Sequence, residues 1–398
     1  MSQFVAMVGM SMVVPFLPFY IRELGVINPD ELEHWSGIVF SGPFILSFLL
    51  TPVWGVLGDR FGKKKMVLRA IFGLAVSQFL IGLSANVWQL FAFRMVQGAI
   101  SGFIASSLAL VSASTPKERS GYSIGILQTS ISSGTVIGPF IGGFIADMTS
   151  YRTVFFITSA ICFFSGLLVI INVREPASGD SKKLYSVFQN YEYVFKRSNI
   201  LVVMLSITAI QISITVAQPV FALFVESMTK GTQYISTLTG AIFGTLGIFS
   251  VISSPWWGRR NDTKSFKKNI MIAIFGAGLA YMVHTFITNP YMLFPVRAFL
   301  GLCIGGIIPV LYAYVNKNIE DDRKSGVMGI ASSFTLLGNL LGPLLCTLLL
   351  FEIEMKYIFL IAGFLLFGNA LLIFYNVKES KSGEKFQEEI IAESNEVI

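Results

Sequence analysis

Twelve apolar runs, each about twenty residues or longer, fill most of this 398-residue chain. They lie at 2–21, 35–57, 67–86, 88–112, 121–147, 153–173, 199–225, 233–257, 269–288, 290–316, 325–351 and 356–376, here spans 1 to 12. A helix rises 1.5 Å per residue, so each run is long enough for the ~30 Å hydrocarbon core of a bilayer. In lipid every backbone N–H and C=O must be bonded internally, and the helix is the only open-ended element that does so. The predicted fold class is therefore all-α integral membrane, with twelve transmembrane helices. Charged residues make up 13% of the chain, about half the share in a soluble domain. A cytosolic enzyme and a disordered chain are both excluded, and the short loops leave no room for a soluble catalytic domain. The first run lacks a basic leader and an A-x-A cleavage site, so it reads as an uncleaved span.

The net charge of +6 has to be read by position. Of the 29 Lys and Arg, 23 fall in the even-numbered loops, the central linker and the tail, and 4 fall on the opposite side. The remaining two, Arg94 and Arg297, lie inside spans. The positive-inside rule then puts both termini in the cytoplasm, and the basic balance implies no nucleic-acid partner. Cys162, Cys303 and Cys346 stand in separate apolar runs, and His34 and His284 are far apart with no obvious third ligand. No metal site, disulfide framework or cofactor is expected. No nucleotide loop G-x-x-x-x-G-K-S/T and no catalytic constellation at one depth is present. The chain reads as no enzyme, and any transport would run on an ion gradient.

The two halves repeat. Pro52, Trp54, Gly55 and Asp59 map by +203 onto Pro255, Trp257, Gly258 and Asp262, and Arg94, Gly98 and Gly102 map likewise onto Arg297, Gly301 and Gly305. Glu23 maps onto Glu226. Gly134, Gly138, Pro139 and Phe155 map by +204 onto Gly338, Gly342, Pro343 and Phe359. Each half has an even number of spans, so both point the same way. They are expected to be related by an axis along the membrane normal, with a cavity between them near the midplane. The expected organisation is a six-helix bundle over 1–173, a cytoplasmic linker over 174–198, a second six-helix bundle over 199–376 and a cytoplasmic tail over 377–398.

Three motifs carry chemistry. Between spans 2 and 3 runs Gly55-Val-Leu-Gly-Asp59-Arg60-Phe-Gly62-Lys63-Lys64-Lys65. Its glycines allow close approach and a tight turn, and Asp59 can accept from Arg or sit at a helix N-terminus. Such a clasp suits a gate, with Gly55, Asp59, Arg60, Gly62 and Lys63 as its residues; a turn with positive-inside lysines is the plainer reading. Arg94 lies about 9–10 Å deep in span 4 at 1.5 Å per residue, and a charge at that depth is a functional candidate. Arg297 repeats it in span 10, but Gln97 has no counterpart there, since Leu300 replaces it. Span 5 carries Gly134, Gly138, Pro139, Gly142 and Gly143, which allow close packing and a bend.

These segments resemble the signatures of the major facilitator superfamily: G-x-L-A-D-R-x-G-R-K in loop 2–3, Arg94-Met-Val-Gln97-Gly98 in span 4, and the span 5 glycine–proline pattern of its drug–proton antiporters. Gly58 and Lys63 depart from the loop consensus. The stretches Val14-Pro15-Phe16-Leu17-Pro18-Phe19-Tyr20 and Trp35-Ser36-Gly37-Ile38-Val39-Phe40-Ser41 look like the MdtG-type multidrug efflux subgroup of bacteria. The resemblance implies the major facilitator fold, Arg94 as a cationic switch for a proton on a nearby carboxylate, and span 5 as a helix at the interface of the halves. It also implies a multi-pass protein of the bacterial cytoplasmic membrane that uses the proton gradient. The expected partners are a small-molecule substrate, protons and the lipid bilayer, with the protein acting as a monomer.

One expected part is missing. No carboxylate lies deep in a span. The outer-end acids Asp147, Glu226 and Glu23 are the candidate proton sites, with Asp147 first because it follows Gly142-Gly143. The polar candidates for the cavity are Gln97, Gln128, Gln211 and Gln218. A cation in a dry cavity wants a carboxylate, so neutral or anionic amphiphiles would tolerate Arg94 and Arg297 better. The leading expectation is proton-coupled export of drug-like or amphipathic molecules. A metabolite-specific symporter or uniporter of the same fold is the alternative, and a non-transporting receptor or scaffold is third.

Overall fold

The computed structural model describes residues 2–100, 102, 106–107, 110–111, 114–115, 120–173, 187–229, 234–263, 265–320 and 323–377. Every regular element among them is helical. Eleven stretches are long and apolar enough to cross a membrane, and span 4 adds the helix Val87–Ala99, which completes the expected order of twelve. Spans 2 and 3 are Pro29–Phe61 and Lys63–Gly82, and spans 5 and 6 are Ser120–Met148 and Tyr151–Asn172. Span 8 is Ile235–Thr263, span 9 Phe266–His284, span 10 Leu293–Lys317, span 11 Lys324–Leu349 and span 12 Met355–Asn376.

Three runs read as continuous in sequence are broken in the structure. Span 1 consists of Ser2–Ser11 and Leu17–Glu23 around a 3-10 turn at Val14–Phe16. Span 7 consists of Ser198–Thr215 and Gln218–Ser227. Pro15, Pro18 and Pro219 sit at these breaks, and each removes the N–H that would bond the preceding turn. The run expected over 88–112 leaves its helix after Ala99, and Gly102 has φ 108°, a left-handed backbone that a side chain disfavours. Gly62, between spans 2 and 3, has φ 103° and lets the chain reverse in one residue. The run 174–198, read as a polar connection, includes a helix at Val187–Lys196. This helix buries Val194 with residues of the last six spans, and Arg197 pairs with Glu320 at 2.8 Å.

The packing is itself repeated. Span 1 lies on 5 and 6, span 2 on 4, and span 3 on 6; span 7 lies on 11 and 12, span 8 on 10, and span 9 on 12. Between the halves, span 5 packs on span 8 and span 11 on span 2. Most described buried apolar residues of the second half form one continuous core, and those of the first gather mainly in two, one of which also takes in Ala222 and Leu223 of span 7. Because lipid is as apolar as leucine, helices in a membrane are held mainly by close packing of small residues and by interhelical hydrogen bonds. The span ends form two faces: a linker face, where Phe61, Lys63, Asn172 and Ser198 lie, and a far face, where Glu23, Met148, Ser227, Ile235 and Leu349 lie.

Candidate functional site: the seam between the halves

Several hydrogen bonds and close approaches are repeated in the two halves. Ser11 Oγ bonds the carbonyls of Met7 and Gly134 at 2.8 and 2.9 Å. Thr215 Oγ1 bonds those of Gln211 and Gly338 at 2.8 and 3.2 Å. Trp54 Nε1 donates to Ala99 O at 2.8 Å, and Trp257 Nε1 to Leu302 O at 2.7 Å. A Cβ on Gly98 would meet the Pro43 carbonyl, and one on Gly301 the Leu246 carbonyl. Every partner stands at the offset read from the sequence.

The contacts that join the halves follow the same rule. A Cβ on Gly240 would strike the Pro139 carbonyl, and one on Gly37 the Pro343 carbonyl and the Thr347 hydroxyl. Gly143 abuts the Ser236 carbonyl, and Val136 lies against Gly244 and Gly247. Span 5 thus has two packing faces, with Gly134, Gly138 and Gly142 meeting span 1 and Pro139 and Gly143 meeting span 8. From Met148 to Val136 this seam extends about 18 Å inward at 1.5 Å per residue.

At the far face the seam ends in polar and aromatic contacts. Arg22 and Glu226 form a two-pronged ion pair across the halves, with distances of 2.7 and 2.6 Å. Asp147 accepts from the Ser236 and Thr237 backbone N–H groups at 3.2 and 2.7 Å and from the Thr237 hydroxyl at 2.6 Å. Tyr151 Oη and Ser236 Oγ are 2.9 Å apart. The His34 and Phe351 rings pack against each other with centroids 4.0 Å apart and planes tilted by 33°, and Thr347 Oγ1 donates to His34 O at 3.4 Å. Glu23 stays within its own half, 3.7 Å from Arg152. All three candidate acids are therefore engaged at this face.

The two intramembrane arginines differ. Arg94 is half-buried; its Nη1 donates to Gln97 Oε1 at 2.9 Å and its Nε to Val39 O at 3.4 Å. Arg297 is only 5% exposed. Its guanidinium lies 3.6 Å from the Phe221 ring centroid and 5.9 Å from that of Phe243, and its Nε has no hydrogen-bond partner. Gln211 donates to Asn339 at 2.7 Å, Gln218 begins the second piece of span 7 beside Pro219, and Gln128 is exposed on span 5. In the loop 2–3 segment, Gly62 makes the turn and Arg69 stacks 3.5 Å from the Trp54 ring centroid. Lys63 opens span 3. Gly55, Asp59 and Arg60 are on the helical backbone of span 2, and beyond that they lie outside the described residues.

A family model described as Major Facilitator Superfamily matches residues 1–282 and 220–395. The chain belongs to the Major Facilitator Superfamily. It is a multi-pass membrane transporter of that superfamily and not an enzyme. It is 32% identical over 384 residues to the uncharacterized MFS-type transporter YuxJ of Bacillus subtilis (strain 168), covering 96% of this chain and 98% of that one. It is 32% identical over 360 residues to the multidrug resistance protein MdtG of Klebsiella pneumoniae (strain 342), covering 90% and 87%. Among solved structures it resembles the human organic anion transporter MFSD10, with TM-score 0.69, 14% identity and 94% and 97% coverage. It also resembles a bacterial homologue of the human lysosomal transporter Spinster, described as inward-facing and occupied, with TM-score 0.76, 13% identity and 94% coverage of each chain. At these identities the two structures speak for the fold alone.

For this superfamily member, sequence reasoning passed over Gly37, Gly240, Arg22, Ser236 and Thr237. The pair Gly37 and Gly240 stands at the repeat offset of 203 and was open to detection. The others carry no pattern of their own, because their partners lie in the opposite half.

Proposed function

We propose that this chain exports drug-like or amphipathic small molecules from a bacterial cytoplasm by proton antiport, acting as a monomer with both termini inside. The observation that carries the reading is the placement of the cross-half contacts: those described close the far face and extend only part-way in. The basic loops lie at the other face, which the positive-inside rule makes cytoplasmic. In this orientation the protein is shut toward the outside, one of the two states alternating access requires. The naming of relatives as multidrug resistance proteins supports an efflux role, and the paired glycine–proline seams support rocking of one half against the other.

In this reading Gly55, Asp59, Arg60, Gly62 and Lys63 form the cytoplasmic clasp, and Arg94 with Gln97 faces the transport path. Asp147 and Glu226 are the candidate carboxylates whose cross-half contacts change when the far face opens, and Glu23, beside Arg152 in its own half, is the third candidate. A metabolite-specific symporter or uniporter is the second reading, favoured by the interiors of the described spans, which carry arginines but no carboxylate. The test is accumulation in inside-out vesicles of a panel of chemically unrelated fluorescent amphiphiles, with and without an imposed proton gradient. Gradient-dependent uptake of several, abolished by a protonophore, is expected. Uptake that survives the protonophore and stops on ATP depletion rejects proton coupling, and uptake of a single compound class rejects broad export.

A further inference from the structure

The far-face seam contains two latches at equivalent positions of the repeat, made of different chemistry. Asp147 of span 5 maps by +204 onto Phe351, and Thr237 of span 8 maps by −203 onto His34. The structure joins Asp147 to Thr237 and Phe351 to His34. One copy is a tilted contact of two rings. The other is a carboxylate of the first half capping the start of a helix of the second, since span 8 begins at Ile235 and Asp147 accepts from the N–H groups of Ser236 and Thr237. Those N–H groups have no partner within their own helix. An anion beside them is favoured by the helix dipole as well. The Thr237 hydroxyl supplies a third bond at 2.6 Å.

We infer that Asp147 is a positioning residue of the outer gate: it closes the far face by capping span 8 from the opposite half and does not carry the coupled proton. This rests on the alternating-access reading, and it removes Asp147 from the proton-site candidates while leaving Glu226 and Glu23. Three observations converge. All three donors come from one helix of the other half. The contact lies directly beyond Gly143, where span 5 packs closely on span 8. The equivalent latch, Phe351 on His34, does the same mechanical task with no carboxylate at all. When the faces part, water replaces the three donors, so the latch weights the equilibrium toward the far-closed state without locking it.

The experiment places nitroxide labels at Ile27→Cys and Phe286→Cys, two far-face positions in opposite halves that are 79% and 77% exposed. Cys162, Cys303 and Cys346 are buried and stay in place. Distances are measured by double electron–electron resonance in the full-length protein in lipid nanodiscs. Asp147→Ala should raise the ratio of the long-distance to the short-distance population about fivefold, the scale of losing one helix cap. Thr237→Val, which removes only the hydroxyl donor, should raise it by less, and Asp147→Asn should lie between them. If Asp147→Ala does not insert, the other two variants decide. Unchanged distances with loss of gradient-driven transport and intact substrate exchange would make Asp147 a proton carrier and overturn the inference. Unchanged distances with a lowered melting temperature would make it merely structural. A wild type that shows one distance at every pH and substrate concentration would instead remove the alternating-access reading beneath it.

Discussion

Arg94 and Arg297 occupy equivalent positions of the repeat, yet their surroundings assign them different work. Arg94 has neutral polar partners and remains partly exposed, which suits the proposed place of its charge beside the transport path. Arg297 is buried against Phe221, a contact worth about 2 kcal/mol when desolvated. We expect Arg94→Ala to lower transport at least about tenfold, roughly 1.4 kcal/mol of transition-state stabilisation, with little change in melting temperature. Arg297→Ala should lower the melting temperature, costing about 2–4 kcal/mol by analogy with other large-to-small core changes, and should reduce transport less. Equal transport losses at equal expression would refute this ranking. Asp59→Asn should impair transport while leaving membrane insertion intact; wild-type rates in that variant would remove the clasp from the gate. The Arg22–Glu226 pair, 42% and 34% exposed, is worth only about 0–1 kcal/mol. It is a weak fastener by that measure, and a gate that must open needs weak fasteners.

Span 5 is the element on which the seam turns. Its glycines serve span 1 on one side and span 8 on the other, and a side chain at Gly143 has nowhere to go but the Ser236 carbonyl. Gly143→Val should therefore cost about 1–3 kcal/mol of overpacking at the closed seam and favour the far-open state. Expected readouts are slower transport and a longer Ile27–Phe286 label distance. Gly240→Val should act the same way, because its neighbour is the Pro139 carbonyl. Gly368→Ala in span 12 meets nothing within 4 Å and should be silent. If Gly143→Val transports normally, the seam does not open along this contact. The breaks in spans 1 and 7 belong to this scale too. Proline at Pro15, Pro18 and Pro219 marks where each helix is divided, but only packing decides that the second pieces, Leu17–Glu23 and Gln218–Ser227, lie against each other at the far face.

At the scale of the whole molecule, the two halves form one construction used twice and then made asymmetric at the far face. Orientation is testable: reporter fusions at either terminus should be active only as cytoplasmic enzymes, and an active periplasmic-type reporter at the C-terminus would invert the gate assignment. Much of the fold was legible in the chain. Run length and hydropathy dictated the helices, because lipid permits no other open element. The repeat dictated the pairing of the halves, because residues such as Trp54 and Trp257, or Gly98 and Gly301, need the same neighbours in each copy. The candidate site was legible only in part. Arg94 announced itself by its cost in a membrane, and Gly134, Gly138 and Pro139 by their spacing. Asp147 was singled out, but its partners were not: a carboxylate at a span end reads the same whether it faces water or caps a helix from the other half. Sequence by itself determined the span count, the two-fold repeat and the superfamily. Only tertiary structure decided which face is shut and what shuts it, since Arg22 meets Glu226 across 204 residues of sequence and Asp147 meets Thr237 across 90. No local pattern encodes such a contact, because its energy exists only when the two halves come together.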